Sequence, residues 1–435
     1  MTAPSPSPER LSVSAARRAM AEGRLAPRAL VEACLGRIAR RNGTVAAWAH
    51  LEPAAARAEA DALGAGPARG LLHGIPFGVK DILDTADQPA GYGSSIYTGH
   101  RPERDAATVA SARAAGAIVL GKTVTTEFAN RRPGPTRNPH DLGSTPGGSS
   151  SGSAAAVADF QVPFAIGTQT GGSVLRPAAY CGVVGYKPTR LHFGNSGVRM
   201  NTDAYDTVGL MARAVEDIAL IRAAMMELPH HAPAPRAGRI ALMRTPHDDR
   251  ADPAAHAALE AAARRLSTAG ATVEEAALPP PFDGLEAAHR LVCGFESVRN
   301  YADEIARSAH LISPDFLAER IEVGRAATLS EFRAALRLGE RCRALLEAEW
   351  EARGWDAILT LPAPGEAPEG LAHTGSAVFN STWTNLGMPA ITLPCATGPR
   401  GLPLGIQLVG ARHGDAALLD IAAWAEGVLA EGVLA

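Results

Sequence analysis

A chain of 435 residues with 46% hydrophobic and 20% charged side chains can build one large core or two to three ordinary domains, and it has the composition of a globular protein. A net charge of −3 and a pI near 6.5 remove the electrostatic case for nucleic acid or an anionic membrane. Five widely spaced cysteines (Cys34, Cys181, Cys293, Cys342 and Cys395) form no Cys-x-x-Cys pair, and the 13 histidines are scattered. Neither a disulfide framework nor a metal site is suggested, and buried, reduced thiols in a cytoplasmic protein are expected.

Taken in order, Met1–Pro8 reads as part of a disordered lead-in over residues 1–10 with no apolar leader behind it. No charge-free window of about 18 apolar residues follows, so no membrane span is expected. Residues 12–40 carry two alanine-rich amphipathic helices, the second opening at Pro27 and stopping before Asn42-Gly43. A third covers about 52–64. Ile75, Phe77 and Val79 alternate as in a strand, which delivers Lys80 and Asp81 to its C-terminal end, where α/β folds place their chemistry. After a helix at 105–115, Gly116-Ala-Ile-Val-Leu-Gly-Lys-Thr123 matches the phosphate-loop pattern letter for letter. Its four intervening residues are strand formers, however, where that motif needs a flexible loop, so the match is read as chance.

Residues 130–153 read as loop, ending in Ser144-Thr-Pro-Gly-Gly-Ser-Ser-Ser-Gly-Ser153. Gly148-x-Ser150-x-Gly152 has the form of a nucleophile elbow but lacks the buried strand an elbow needs in front of it. A short strand over Val162–Ile166 then hands over to Gly167-Thr-Gln-Thr-Gly-Gly-Ser173. Gly171 and Gly172 let the backbone turn sharply and expose its N–H groups to a ligand, and Ser173 becomes a candidate nucleophile. A helix at 212–226, a Pro/His linker and a β-α-β unit over 239–276 follow, then helices over 285–352. A strand from Trp355, a helix at 377–386, strands at Ala390–Leu393 and Leu404–Leu408 and a helix at 414–430 complete the pattern. The tandem Glu-Gly-Val-Leu-Ala at the C-terminus reads as a tail. This alternation is that of an α/β layered architecture.

The ordered set Gly78-Val-Lys-Asp81, Pro146-Gly-Gly-Ser-Ser-Ser-Gly-Ser153, Gly167–Ser173 and Pro177-Ala-Ala-Tyr-Cys-Gly-Val-Val-Gly-Tyr-Lys-Pro188 resembles the amidase signature family. The similarity continues through Phe379–Pro389 and Gly401–Gly410, and so covers roughly residues 10–425. It implies an α/β fold: a single large domain over 11–430 with a mixed central β-sheet covered by helices on both faces. The catalytic core would span about 70–228 and 355–425, with a variable, substrate-shaping region at about 238–352. It also implies a Ser–cis-Ser–Lys triad in which Ser173 is the acyl-forming nucleophile, Ser149 the relay after a cis peptide bond, and Lys80 the base. The backbone N–H groups of Thr170, Gly171, Gly172 and Ser173 would form the oxyanion hole, with no cofactor and no metal.

Burial is what such a lysine requires, because at its usual pKa of about 10.4 it is protonated at neutral pH and cannot accept a proton. Two positions depart from the family pattern. Gln169 stands where Asp is common, and Leu175 stands where arginine is common, with Arg176 one place later. Asp81 reads as a cap, Cys181 as core, and Arg132 and Arg176 as structural or solvated in preference to carboxylate anchors. The expected function is hydrolysis of a linear carboxylic amide to acid plus ammonia or amine. The enzyme would act on a small-molecule substrate with no nucleic acid and no membrane, with a homodimer left open. The alternative is the glutaminase (A) subunit of a tRNA-dependent amidotransferase, which needs a partner. A non-catalytic binding protein on the same fold is the third reading.

Overall fold

The computed structural model describes residues 7–430. Its frame is one 11-stranded mixed sheet. In chain order the strands are β1 (Trp48–Leu51), β2 (Pro76–Lys80), β3 (Ile118–Thr123), β4 (Phe164–Gln169), β5 (Val184–Lys187), β6 (Thr207–Ala212), β7 (Arg239–Arg244), β8 (Thr272–Ala277), β9 (Ala357–Thr360), β10 (Ala390–Thr397) and β11 (Pro403–Val409). Across the sheet they run β1-β3-β2-β4-β6-β5-β10-β11-β9-β7-β8. The trio β3-β2-β4 is parallel, as are β9-β7-β8, and the strands between them are antiparallel.

Every residue of β2, β3, β4 and β6 is buried, which requires helical cover on both faces of the sheet and explains why these strands read as near-continuous apolar runs. Phe77 and Phe164, paired across β2 and β4, stack with ring centroids 5.0 Å apart. The β-α-β unit at 239–277 extends the same sheet, since β7 pairs with β9.

Several boundaries differ from those read in the sequence. The second helix runs Pro27–Val45, straight through Asn42-Gly43, and ends where Ala46 takes a left-handed conformation at φ 52°. Asn42 then accepts the N–H of Ala47 at 2.7 Å, so it caps the turn from inside the last turn of the helix. Residues 1–6 of the expected lead-in lie outside the described residues, Pro8–Arg10 form a 3₁₀ turn, and the first helix opens at Val13 with Ser12 as its cap. The first Glu-Gly-Val-Leu-Ala copy is no tail, for it closes the helix Asp415–Ala430; the second copy lies outside the described residues. Within 285–352 a π-helical turn over Leu317–Glu322 separates the helix Leu285–Asn300 from Leu329–Arg353. Among the described residues no helix is long and apolar enough to cross a membrane.

Candidate active site

The parallel pairing of β2 with β4, register Val79 to Ile166, sets Lys80 beside the residues that leave β4. Its side chain is fully buried. Nζ lies 2.7 Å from Ser149 Oγ, 2.8 Å from Thr168 Oγ1 and 3.3 Å from the Thr168 carbonyl, all uncharged partners. Burial therefore pushes its pKa well below the usual lysine value, opposed by the negative charge of Asp206. Asp206 is itself 4% exposed, and burial raises its pKa. Its carboxylate accepts from Thr170 Oγ1 at 2.5 Å and from the N–H of Asn201 at 2.6 Å.

Ser149 follows a cis peptide bond at Gly148–Ser149 and opens the run into the helix Ser151–Ala158. The adjacent Ser150 N–H donates to the Ser173 carbonyl at 3.3 Å, which draws this loop against the one leaving β4. Ser173 is half-buried on the wall of a cavity of about 290 Å³, together with Thr170, Gly171 and Gly172. The backbone N–H groups of Gly171, Gly172 and Ser173 donate to no acceptor among the described residues. Lys80, Ser149 and Ser173 are thus brought to one end of β2 and β4, with Lys80–Ser149 bonded and the two serine hydroxyls not bonded to each other. An oxyanion formed at Ser173 would meet donors with no competing partner.

The chain bends at Gly171 and Gly172 as expected, and neither takes a positive φ to do so. Glycine is required at 172 for close approach, since a Cβ there would meet Asn380 Oδ1 at 2.3 Å. Gln169 holds the loop from beneath: its Oε1 accepts the N–H groups of Val174 (2.8 Å) and Leu175 (3.0 Å), and its Nε2 donates to Thr384 Oγ1 at 3.0 Å. Thr384 Oγ1 in turn bonds the Gly171 carbonyl at 2.7 Å. An amide, acceptor on one side and donor on the other, thus ties the turn to the helix Val378–Asn385. Leu175 is core.

Other sequence candidates fall into supporting places. Ser150 Oγ exchanges bonds with the backbone of Thr168, which removes it as an elbow nucleophile. Asp81 pairs with buried Lys122 at 3.1 Å and accepts Gly91 N–H, so the lysine of the phosphate-loop look-alike is spent inside the protein, on strand β3. Arg132 is exposed, the five cysteines are buried and free, and Arg176 is buried on the cavity wall. His289 was missed. Its Nε2–H donates to the Thr170 carbonyl at 2.8 Å, its ring stacks on Tyr205, and burial lowers its pKa to about 4, so it is neutral. Thr168 and Asp206 were missed as well, being common polar residues with no motif around them.

The family model described as Amidase matches residues 29–419. The A subunit of the glutamyl-tRNA(Gln) amidotransferase of Chloroflexus aggregans is 32% identical, aligning 94% of this chain with 95% of its own. The protein of the same name from Anaeromyxobacter sp. (strain K) is 34% identical over 90% of this chain and 91% of its own. Among solved structures, a chain described as belonging to a vestigial protein complex that bears on the origins of an s-triazine catabolic enzyme superposes with TM-score 0.88 at 28% identity, covering 98% of this chain and 99% of that one. The relatives correct one expectation, that of a small-molecule amide as partner with no nucleic acid: both are named as one subunit of an enzyme of glutamyl-tRNA(Gln). The net charge of one chain misled here because it bears only on what that chain's own surface attracts, and an assembly can leave nucleic acid to a different subunit. With the family model matched over most of its length and relatives above 30% identical across nearly all of it, this chain belongs to the amidase signature family.

Proposed function

We propose that this chain breaks a carboxamide C–N bond through an acyl-enzyme on Ser173, and that it does so as the glutaminase component of a tRNA-dependent amidotransferase, freeing ammonia from glutamine for a partner subunit to use. The observation that carries the chemistry is the 2.7 Å contact between Lys80 Nζ and Ser149 Oγ, with the lysine fully buried among uncharged hydrogen-bond partners. Ser173 Oγ attacks the amide carbonyl while its proton passes to Ser149 Oγ, whose own proton goes to neutral Lys80. The contact between the two serines tightens as the amide binds, as catalytic hydrogen bonds commonly do. The tetrahedral oxyanion accepts from the N–H groups at 170–173, of which those of Gly171, Gly172 and Ser173 have no acceptor among the described residues. The relay then returns a proton to the departing nitrogen, ammonia leaves, and water attacks the Ser173 ester by the same route to release the acid.

The subunit role is supported by the full-length relatives of that name. The test is ammonia release from glutamine by the purified chain, alone and with the remaining amidotransferase subunits and glutamyl-tRNA. Glutamine turnover that rises with the partners, with nitrogen transferred to the tRNA, is expected. Full turnover alone, unchanged by the partners and with no transfer, would sink the subunit role; activity that survives in Ser173→Ala would sink the nucleophile.

A further inference from the structure

Arg176 is a charged side chain that the reaction just described does not use. It sits three residues past Ser173, is 4% exposed, and lines the same cavity. Nη2 donates to the Gly148 carbonyl at 2.5 Å and to Thr374 Oγ1 at 3.3 Å. Among the described residues, buried Nε and Nη1 have no hydrogen-bond partner and no carboxylate lies within ion-pair distance of the guanidinium. Burial lowers its pKa only to about 10, so it remains a cation at neutral pH. A buried cation with open donors and no counter-ion is costly, and it calls for an anion.

The rest of the cavity wall has the same sign. Arg131, Arg290 and Arg320 line it, and its two acids are engaged. Glu319 pairs with Arg131 at 2.6 Å and Glu286 with Arg250 at 3.2 Å, while His289 is neutral. A negatively charged ligand therefore enters a site whose charge is not already neutralised.

We infer that Arg176 binds a carboxylate carried by the donor amide, so that the carbonyl presented to Ser173 belongs to a molecule that is both acid and amide. The inference rests on the Ser173 reading of the site and adds to it the residue that anchors the carboxylate of the donor. A carboxylate held by the guanidinium would supply the missing counter-ion through charge-assisted hydrogen bonds and fix the amide against the loop at 170–173.

The test uses Ser173→Ala, which binds without turnover, and calorimetry with glutamine, succinamate and butanamide, the last being the uncharged counterpart of succinamate. At least one carboxylate-bearing amide is expected to bind about tenfold or more tighter than butanamide, the scale of a hydrogen bond to a charged group. In Ser173→Ala/Arg176→Gln that preference should vanish while butanamide affinity changes less than about threefold. Equal binding of all three probes to Ser173→Ala, survival of the preference without Arg176, or equal loss for charged and uncharged probes would each overturn the assignment; the last would mean that Arg176 acts only by bracing Gly148. Should the Gln variant not fold, Arg176→Lys decides, with the preference expected to fall about threefold or more and an unchanged preference overturning the inference. Ammonia release from the wild-type chain is read separately, so failure of the nucleophile and failure of the anchor give different results.

Discussion

Lys80 sits in a setting that separates its two protonation states. Its partners are two hydroxyls and a carbonyl, the negative charge of buried Asp206 favours the ammonium form, and burial opposes it more strongly. In the unfolded chain the same lysine holds its proton up to about pH 10.4. Between the depressed folded value and about 10.4 the unfolded state therefore binds the extra proton, and stability must rise with pH across that window. Lys80→Met removes the group and this slope. It is expected to lose amide hydrolysis by roughly 10⁴-fold or more, the scale seen when one member of a coupled catalytic unit is removed. Any stability advantage it has over wild type at pH 7 should shrink as pH approaches 10. Thermal unfolding of both proteins at pH 7, 8.5 and 10 measures this, and a gap that widens with pH would mean Lys80 is charged in the fold. The residues of this site were unequally visible in the sequence. Lys80, Ser149 and Ser173 stand within linked motifs, but Asp206, Thr168 and His289 are ordinary residues that only the folded chain carries to Thr170 and Lys80.

The loop that leaves β4 is held by neighbouring elements more than by its own conformation. Gln169 ties its far side to Thr384, His289 of the helix Leu285–Asn300 holds the Thr170 carbonyl, and Asn380 packs where Gly172 has no side chain. Asn380 cannot readily yield, since its Nδ2 donates to buried Gln407 at 2.7 Å. Gly172→Ala should therefore push the loop away and misaim its N–H groups. A kcat loss of about 10²- to 10³-fold is expected, the size of one lost oxyanion donor, with a stability cost of about 1–3 kcal/mol for overpacking. Steady-state kinetics and chemical denaturation of the variant check both, and near-normal kcat would show that these donors do not stabilise the reacting oxygen. At this scale the sequence was legible where apolar residues alternate, as in β2, or run on unbroken into a glycine turn, as in β4. It misled where a cap acts from inside a helix, as Asn42 does, and gave no placement for the helices at 285–352, whose contacts to the loop are more than a hundred residues distant.

At the scale of the molecule, one sheet joins segments from Trp48 to Val409, and its strand order was not legible because pairing between distant strands leaves no local pattern. The C-terminal helix Asp415–Ala430 closes the structure by contact with the helix Val215–Met225. There Glu426 accepts the first N–H of that helix, from Val215, at 3.1 Å. Burial raises its pKa from 4.5 to about 7, with Asp217 and Glu216 adding like charge. Below about pH 4.5 the carboxyl is neutral in both folded and unfolded states and carries no penalty; between there and about pH 7 the unfolded chain ionises first; above that the full cost of the buried charge is present. A glutamine side chain offers the same acceptor oxygen without the charge. Glu426→Gln should thus match wild type near pH 4 and exceed it at pH 8 by about 1–2 kcal/mol, a figure discounted from the pKa shift for partial exposure. Denaturant titrations at the two pH values read the difference directly. If Glu426→Gln is no more stable at pH 8, the carboxylate bond to Val215 outweighs the desolvation of the charge, and the junction between the last helix and the rest of the fold depends on an ionised cap.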